Sequence, residues 1–157
     1  MHLQEFDRPP CALRYMTLAL WPSPGLRHGA PFPSIVMSWR GYRAAAREVD
    51  RFCSLSGVPA GEDLPFLFPH AIGFRLQMAL LTHPAFPVPI WRMLQIRNRL
   101  RQHRTILRDA VLNFEASFSG HRALEKGLEV DVHCAVTEAG ELAWEGTNTF
   151  YARGRFG

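Results

Sequence analysis

One histidine stands where it could transfer protons. His70 follows Pro69 and opens an apolar run that reaches Leu81, a pattern typical of the first turn of a helix. An imidazole can accept a proton near neutral pH, and the positive end of the helix dipole would keep this one neutral. The amides of Ile72 and Gly73 would be free there and could stabilise an oxygen anion. The spacing suits chemistry that pairs a base with an oxyanion site.

A purely structural role for His70 is also open: it would begin the helix and bond to a loop carbonyl. His83, at the other end of the same run, is expected to cap carbonyls. Glu62 and Asp63 precede His70 and could supply an acid, although loop carboxylates are usually only solvated. Asp131 and His133 share a predicted strand face and are expected to form a surface pair rather than a catalytic dyad.

Composition indicates one packed domain over residues 1–157. Apolar residues make up 47% of the chain and charged residues 20%, which excludes a disordered polypeptide. The first ten residues do not resemble a secretory signal, and no apolar run approaches the roughly 20 residues of a membrane helix. Three widely separated cysteines predict neither a disulfide framework nor a metal site, so we expect a cytoplasmic protein with reduced thiols and no metal or cofactor.

The net charge of +4 comes almost entirely from arginine, since Lys126 is the only lysine. Arg97, Arg99, Arg101 and Arg104 form a basic run that could hold phosphates or form a solvated strand face. Aromatic residues are not interleaved with basic ones on one face, so a nucleic-acid partner is not expected. Trp39, Trp91 and Trp144 are expected in the core or at a dimer interface.

Two helices are predicted. Residues 42–55 place Tyr42 and Val49 among apolar positions at helical spacing, and Gly57 is expected to end this helix in the left-handed conformation. Residues 70–82 are apolar nearly all round, which predicts a helix wrapped by the rest of the fold. A loop rich in proline and glycine at 21–33 and a strand at 34–39 precede both.

The second half of the chain reads as strands, over about residues 91–153. Residues 92–102 alternate, with Leu94, Ile96 and Leu100 predicted on one face and Gln95, Arg97, Arg99 and Arg101 on the other. Residues 111–118 alternate as well. Residues 128–153 predict a hairpin that turns at residues 138–140, with Val130, Val132, Cys134 and Val136 on its buried face and Leu142, Trp144 and Phe150 on its return strand.

One apolar helix followed by antiparallel strands predicts an α+β domain. A single buried helix needs a sheet curved around it to cover every side. This is the layout of a hot-dog fold, a curved antiparallel sheet wrapped around one central hydrophobic helix.

Several motifs also resemble a known family. Leu64-Pro65, Phe68-Pro69-His70, residues 74–81, residues 86–89 and Ile96-Arg97-Asn98 are similar to the MaoC-like acyl dehydratases, or (R)-specific enoyl thioester hydratases, of the hot-dog superfamily. The resemblance covers roughly residues 39–153 and is most specific over 64–98.

The resemblance implies reversible hydration of trans-2-enoyl thioesters carried by coenzyme A or acyl carrier protein, with no cofactor. It implies a homodimer or a paired hot-dog heteromer. His70 would be the base, Ile72 and Gly73 would supply donors, and Gly73 would also let the thioester approach closely. Further substrate contacts would come from Gln95, Arg97, Asn98 and Arg99.

Two departures leave a second function open. The family carries Ser/Thr-Gly-Asp-x-Asn-Pro-x-His, whereas this chain reads Ser56-Gly57-Val58-Pro59, with Val58 in place of the catalytic aspartate. Relatives tend to have a histidine where Gln95 stands, and a carboxamide cannot exchange a proton near neutral pH. The alternative is a catalytically silent hot-dog that binds acyl groups or completes a heteromeric hydratase. The sequence shows no acid placed for a thioesterase.

Overall fold

The computed structural model describes residues 2–20, 22–26 and 31–156. Its strands are β1 (His2–Phe6), β2 (Ile35–Arg43), β3 (Met93–Gln102), β4 (Val111–Leu124), β5 (Gly127–Glu138) and β6 (Glu141–Arg153). Its helices are α1 (Ala12–Leu18), α2 (Ala46–Ser56) and α3 (Phe68–Leu81), with one turn of 3₁₀ helix at Ile90–Arg92. Part of the predicted loop at 21–33 lies outside the described residues.

The described strands form one six-stranded sheet in the order β1-β2-β4-β5-β6-β3. Every pairing is antiparallel except that of β1 with β2, which is parallel. β3 follows α3 in the chain and forms the edge of the sheet opposite β1, where it pairs with β6. The chain order of the strands is therefore not their order in the sheet.

Helix α3 lies across this sheet and packs against β2, β4 and β5. Leu76 and Leu80 are fully buried there. The sheet contributes a matching apolar face, with Leu112 and Phe114 on β4 and Val132 on β5 all at 1% exposure or less. Burial of this kind contributes about 25 cal/mol per Å² of apolar surface, so the interface of α3 with the sheet is a main source of stability.

The alternation predicted for residues 111–118 and the predicted hairpin are both confirmed. β4 buries its even-numbered residues from Leu112 to Ala116, and β5 buries Val130 through Val136 in alternation. The turn bends where Ala139 and Gly140 have φ values of 50° and 85°. Leu142 is 39% exposed because the ladder shifts register between Val136 and Thr137.

Two helix boundaries differ from the sequence prediction. Helix α2 begins at Ala46 rather than at residue 42, because Tyr42 and Arg43 still pair with β4. It ends as predicted, with Gly57 at φ 71°. Helix α3 begins at Phe68, two residues before the predicted start, with Pro69 in its first turn.

None of the helices in the described ranges combines the length and apolar character needed to cross a bilayer.

Candidate active site

His70 is the third residue of α3 and is half-buried at the edge of the sheet. Its Nε2 lies 3.4 Å from Nδ2 of Asn98 on β3, so the amide donates to the ring nitrogen. Within the described chain, the buried Nδ1 has no hydrogen-bond partner. Burial lowers the pKa of His70 from its ordinary value. A lowered pKa favours the neutral ring, and the nitrogen that faces the Asn98 amide, Nε2, carries its lone pair.

Trp144 on β6 connects the start of α3 to the sheet. Its indole Nε1 donates to the carbonyl of Phe66 at 3.1 Å, two residues before the helix begins. The Trp144 ring centroid is 6.2 Å from that of His70. Since Trp144 is fully buried, these contacts set the position of the imidazole relative to the sheet.

The early start of α3 changes which amides are free. The amide of Phe68 donates to the Pro65 carbonyl at 2.8 Å, and that of Ala71 donates to the Leu67 carbonyl at 3.1 Å. Pro69 has no amide hydrogen, which leaves the His70 amide as the free donor of this turn in the described structure. Ile72 and Gly73, predicted as donors, are the fifth and sixth residues of the helix and lie in its second turn.

Gly73 faces the sheet. A Cβ on this residue would lie 2.8 Å from Sγ of Cys134 and 3.5 Å from the Phe114 ring. Burial raises the pKa of the Cys134 thiol to about 12, which keeps it protonated. Gly73 thus permits close packing of α3 on β5, while its predicted contact with substrate remains a prediction.

A bulge in β3 brings two predicted residues to the side of the helix. The ladder pairs Gln95 with Phe150 and Arg97 with Thr149, so Ile96 is skipped. Strict alternation wrongly placed Gln95 with Arg97 and Arg99, because a bulge reverses the side chains that follow it. Gln95 and Asn98 lie beside Asn148 on the inner face.

The same bulge leaves Arg97 and Arg99 on the outer face. They line a shallow cavity of about 120 Å³ with Asp131, Thr147 and Thr149. Arg97 also forms an ion pair with Glu129 at 3.9 Å. The predicted substrate contacts are thus divided between two faces of the sheet.

The sequence analysis missed two polar residues in the core, Gln77 on α3 and Asn148 on β6, each 1% exposed. Asn148 Nδ2 donates to Gln77 Oε1, and Gln95 Nε2 donates to Asn148 Oδ1 at 3.3 Å. Gln77 is a polar residue in an otherwise largely apolar helix. That signal could have found the cluster, because a buried carboxamide requires a partner.

The other candidates lie elsewhere. Backbone groups of Glu62 and Asp63 pair with residues 107 and 108. Asp131 accepts a hydrogen bond from the Thr149 hydroxyl at 2.6 Å on the outer face, where His133 lies 3.7 Å from Glu145. His83 accepts from the amide of Ala85 at 3.1 Å, which is a structural contact.

Comparison with solved structures establishes the class: the chain has a hot-dog fold. HtdX of Mycobacterium tuberculosis matches 75% of this chain and 51% of its own length, with TM-score 0.70 and 22% identity. The HadBC complex, a (3R)-hydroxyacyl-ACP dehydratase of the same organism, matches 78% of this chain and 98% of its own, with TM-score 0.65 and 15% identity.

Sequence comparison finds a dehydratase of the same organism. The 3-hydroxyacyl-thioester dehydratase X of M. tuberculosis is 26% identical over 102 residues, which are 65% of this chain and 36% of the relative. The chain resembles the MaoC-like acyl dehydratases, as its motifs predicted, and spans between a third and a half of the relative's length. No protein-family model matches the chain.

Proposed function

We propose that this chain binds acyl thioesters and takes part in the reversible hydration of trans-2-enoyl thioesters. The observation that carries the proposal is the place of His70 at the start of the central helix, where its Nε2 faces the Asn98 amide and burial lowers its pKa. The similarity to a 3-hydroxyacyl-thioester dehydratase supports the same class of substrate.

The proposed step needs one base and one donor. Water takes the place of the Asn98 amide at Nε2 of His70, which accepts a proton from it as the water oxygen bonds to C3 of the enoyl group. The electrons move to the thioester oxygen, and the free His70 amide stabilises that anion. C2 then takes a proton from the imidazolium, which restores the neutral ring and completes the 3-hydroxyacyl thioester.

One observation favours the alternative, a silent hot-dog that binds the acyl group or completes a heteromeric hydratase. Asn98 is a neutral partner for His70, and Val58, which replaces the family's aspartate, is 40% exposed on the loop after α2. In this case the catalytic acid would come from a second hot-dog. The structurally similar HadBC dehydratase is itself described as a complex.

We further propose that the partner pairs along β3. This strand ends the sheet, and its Leu94 and Ile96 are 70% and 48% exposed. The unpaired edge of β3, with apolar side chains exposed at its beginning, can pair with another chain, while Arg97, Arg99 and Arg101 lie further along the strand. A second copy of this chain would give a dimer with a continuous sheet.

Crotonyl thioester hydration, followed by loss of enoyl absorbance, tests the proposal. Wild type should hydrate the thioester and His70→Ala should lose at least about a hundredfold in rate, the usual contribution of a general base. His83→Ala, at the other end of α3, is the matched control and should retain the wild-type rate. If wild type and His70→Ala both bind the thioester and neither hydrates it, the silent alternative is favoured.

A further inference from the structure

The core of this protein contains a carboxamide pair that the proposed mechanism does not use. Gln77 and Asn148 are each 1% exposed and bond to one another between α3 and β6. A buried amide without a partner costs about 1–3 kcal/mol, so an apolar pair would be the simpler solution for packing alone. The presence of two buried amides at this position is therefore not explained by packing alone.

The pair is continued to the surface by a third carboxamide. Gln95 donates to Asn148 Oδ1 at 3.3 Å from the exposed edge strand. Asn148 also lies directly across the ladder from Asn98, the partner of His70. The hydrogen-bonded network thus connects the core to Gln95, and its middle member, Asn148, lies next to Asn98 on the helix side of β3.

We infer that Gln77 and Asn148 are positioning residues that hold Gln95 for recognition of the uncharged acyl thioester head, in preference to the free acid. The inference rests on the proposed function. With one Gln95 N–H committed to Asn148, its second N–H and its carbonyl are left for a ligand beside His70. Hydrogen bonds in series also polarise and orient one another.

The charges near the site explain the preference. Arg97 and Arg99 lie on the outer face, and Arg75 on α3 forms an ion pair with Glu48 at 3.7 Å. A carboxylate among the carboxamides would lose its hydration without gaining a guanidinium partner. A thioester carbonyl needs only the donors that are present.

The test compares crotonyl pantetheine thioester with crotonate. Wild type should bind the thioester at least about tenfold more tightly than the acid, a difference of about 1.4 kcal/mol. The variant Gln77→Met/Asn148→Leu replaces both partners with apolar side chains of similar size, which can be nearly neutral for stability. It should bind the thioester about tenfold more weakly and lose most of the selectivity.

Gln102→Leu is the matched control, because it removes a carboxamide of β3 that bonds to the Arg104 carbonyl instead. It should keep wild-type affinity and selectivity. Wild-type affinity and selectivity in the double variant would overturn the inference while leaving the proposed function intact. Equal binding of thioester and acid by wild type would overturn it even if the double variant does not fold, and no thioester binding by wild type would overturn both proposals.

Discussion

At the scale of single residues, His70 is distinguished by its surroundings. Burial lowers its pKa, and its contact, the Asn98 amide, donates to the neutral ring. A general base is most effective when it is unprotonated at working pH and within reach of water. His70 meets the first condition through desolvation and the second through its place at the edge of the sheet.

This lowered pKa predicts a pH-dependent stability. The unfolded chain binds a proton at His70 more tightly than the folded chain, so acidification from pH 7 through the lowered pKa favours unfolding. His70→Gln removes this term, and its urea midpoint should fall less between pH 7 and pH 5 than that of wild type. Both proteins measured at pH 8, where histidine is neutral in either state, give the baseline. An identical fall in the two proteins would contradict the shift.

Arg97 and Arg99 on the outer face predict that the affinity for a thioester depends on the phosphates of its carrier. If Arg97 and Arg99 hold carrier phosphates, Arg97→Gln/Arg99→Gln should weaken binding of crotonyl-coenzyme A several-fold. The same variant should bind crotonyl N-acetylcysteamine, which has no phosphate, as wild type does. Calorimetric titration of both ligands makes the comparison. Equal losses for the two thioesters would show that the arginines do not act through phosphate.

At the scale of elements, the sequence pattern predicts the helices and strands whose residues are buried on one side or all round. It does not predict features that depend on how neighbouring strands are paired. Helix α3 was predictable because it is apolar, and the β5–β6 hairpin because it alternates around a turn. β1 was missed because its five residues are mostly exposed and show no alternation. The bulge at Ile96 was missed because the register of β3 depends on its partner strand, β6. This bulge places Gln95 on the same face as the site and Arg97 on the opposite face.

The approach of α3 to β5 can be tested at Gly73. Gly73→Ala would gain helix propensity of about 1 kcal/mol, but its Cβ would meet the buried Cys134 Sγ at 2.8 Å. Overpacking of this kind costs about 1–3 kcal/mol, so we expect a net loss of stability in urea unfolding. Adding Cys134→Ala should make the glycine substitution less destabilising than it is in the wild-type background. Strictly additive effects would show that the two atoms do not compete for space.

At the scale of the whole molecule, β3 is the edge of the sheet along which we propose that another chain pairs. β3 follows the buried helix, forms the edge next to the site and exposes Leu94 and Ile96. A polar site at an open edge is incompletely enclosed, and a second hot-dog on that edge would exclude water from it. Assembly and chemistry would then depend on the same strand.

This predicts that the chain is a dimer in solution and that Leu94→Glu/Ile96→Glu is a monomer, because charges on an edge strand oppose pairing. Light scattering coupled to size-exclusion chromatography measures both masses. Leu55→Glu, which places a charge at a 78% exposed leucine of α2, is the matched control and should remain dimeric. If all three proteins are dimers, the interface does not lie along β3. If wild type is a monomer, the prediction of a homodimer is wrong, and the partner would have to be a different hot-dog chain. Loss of thioester hydration together with the dimer would show that the second chain completes the site.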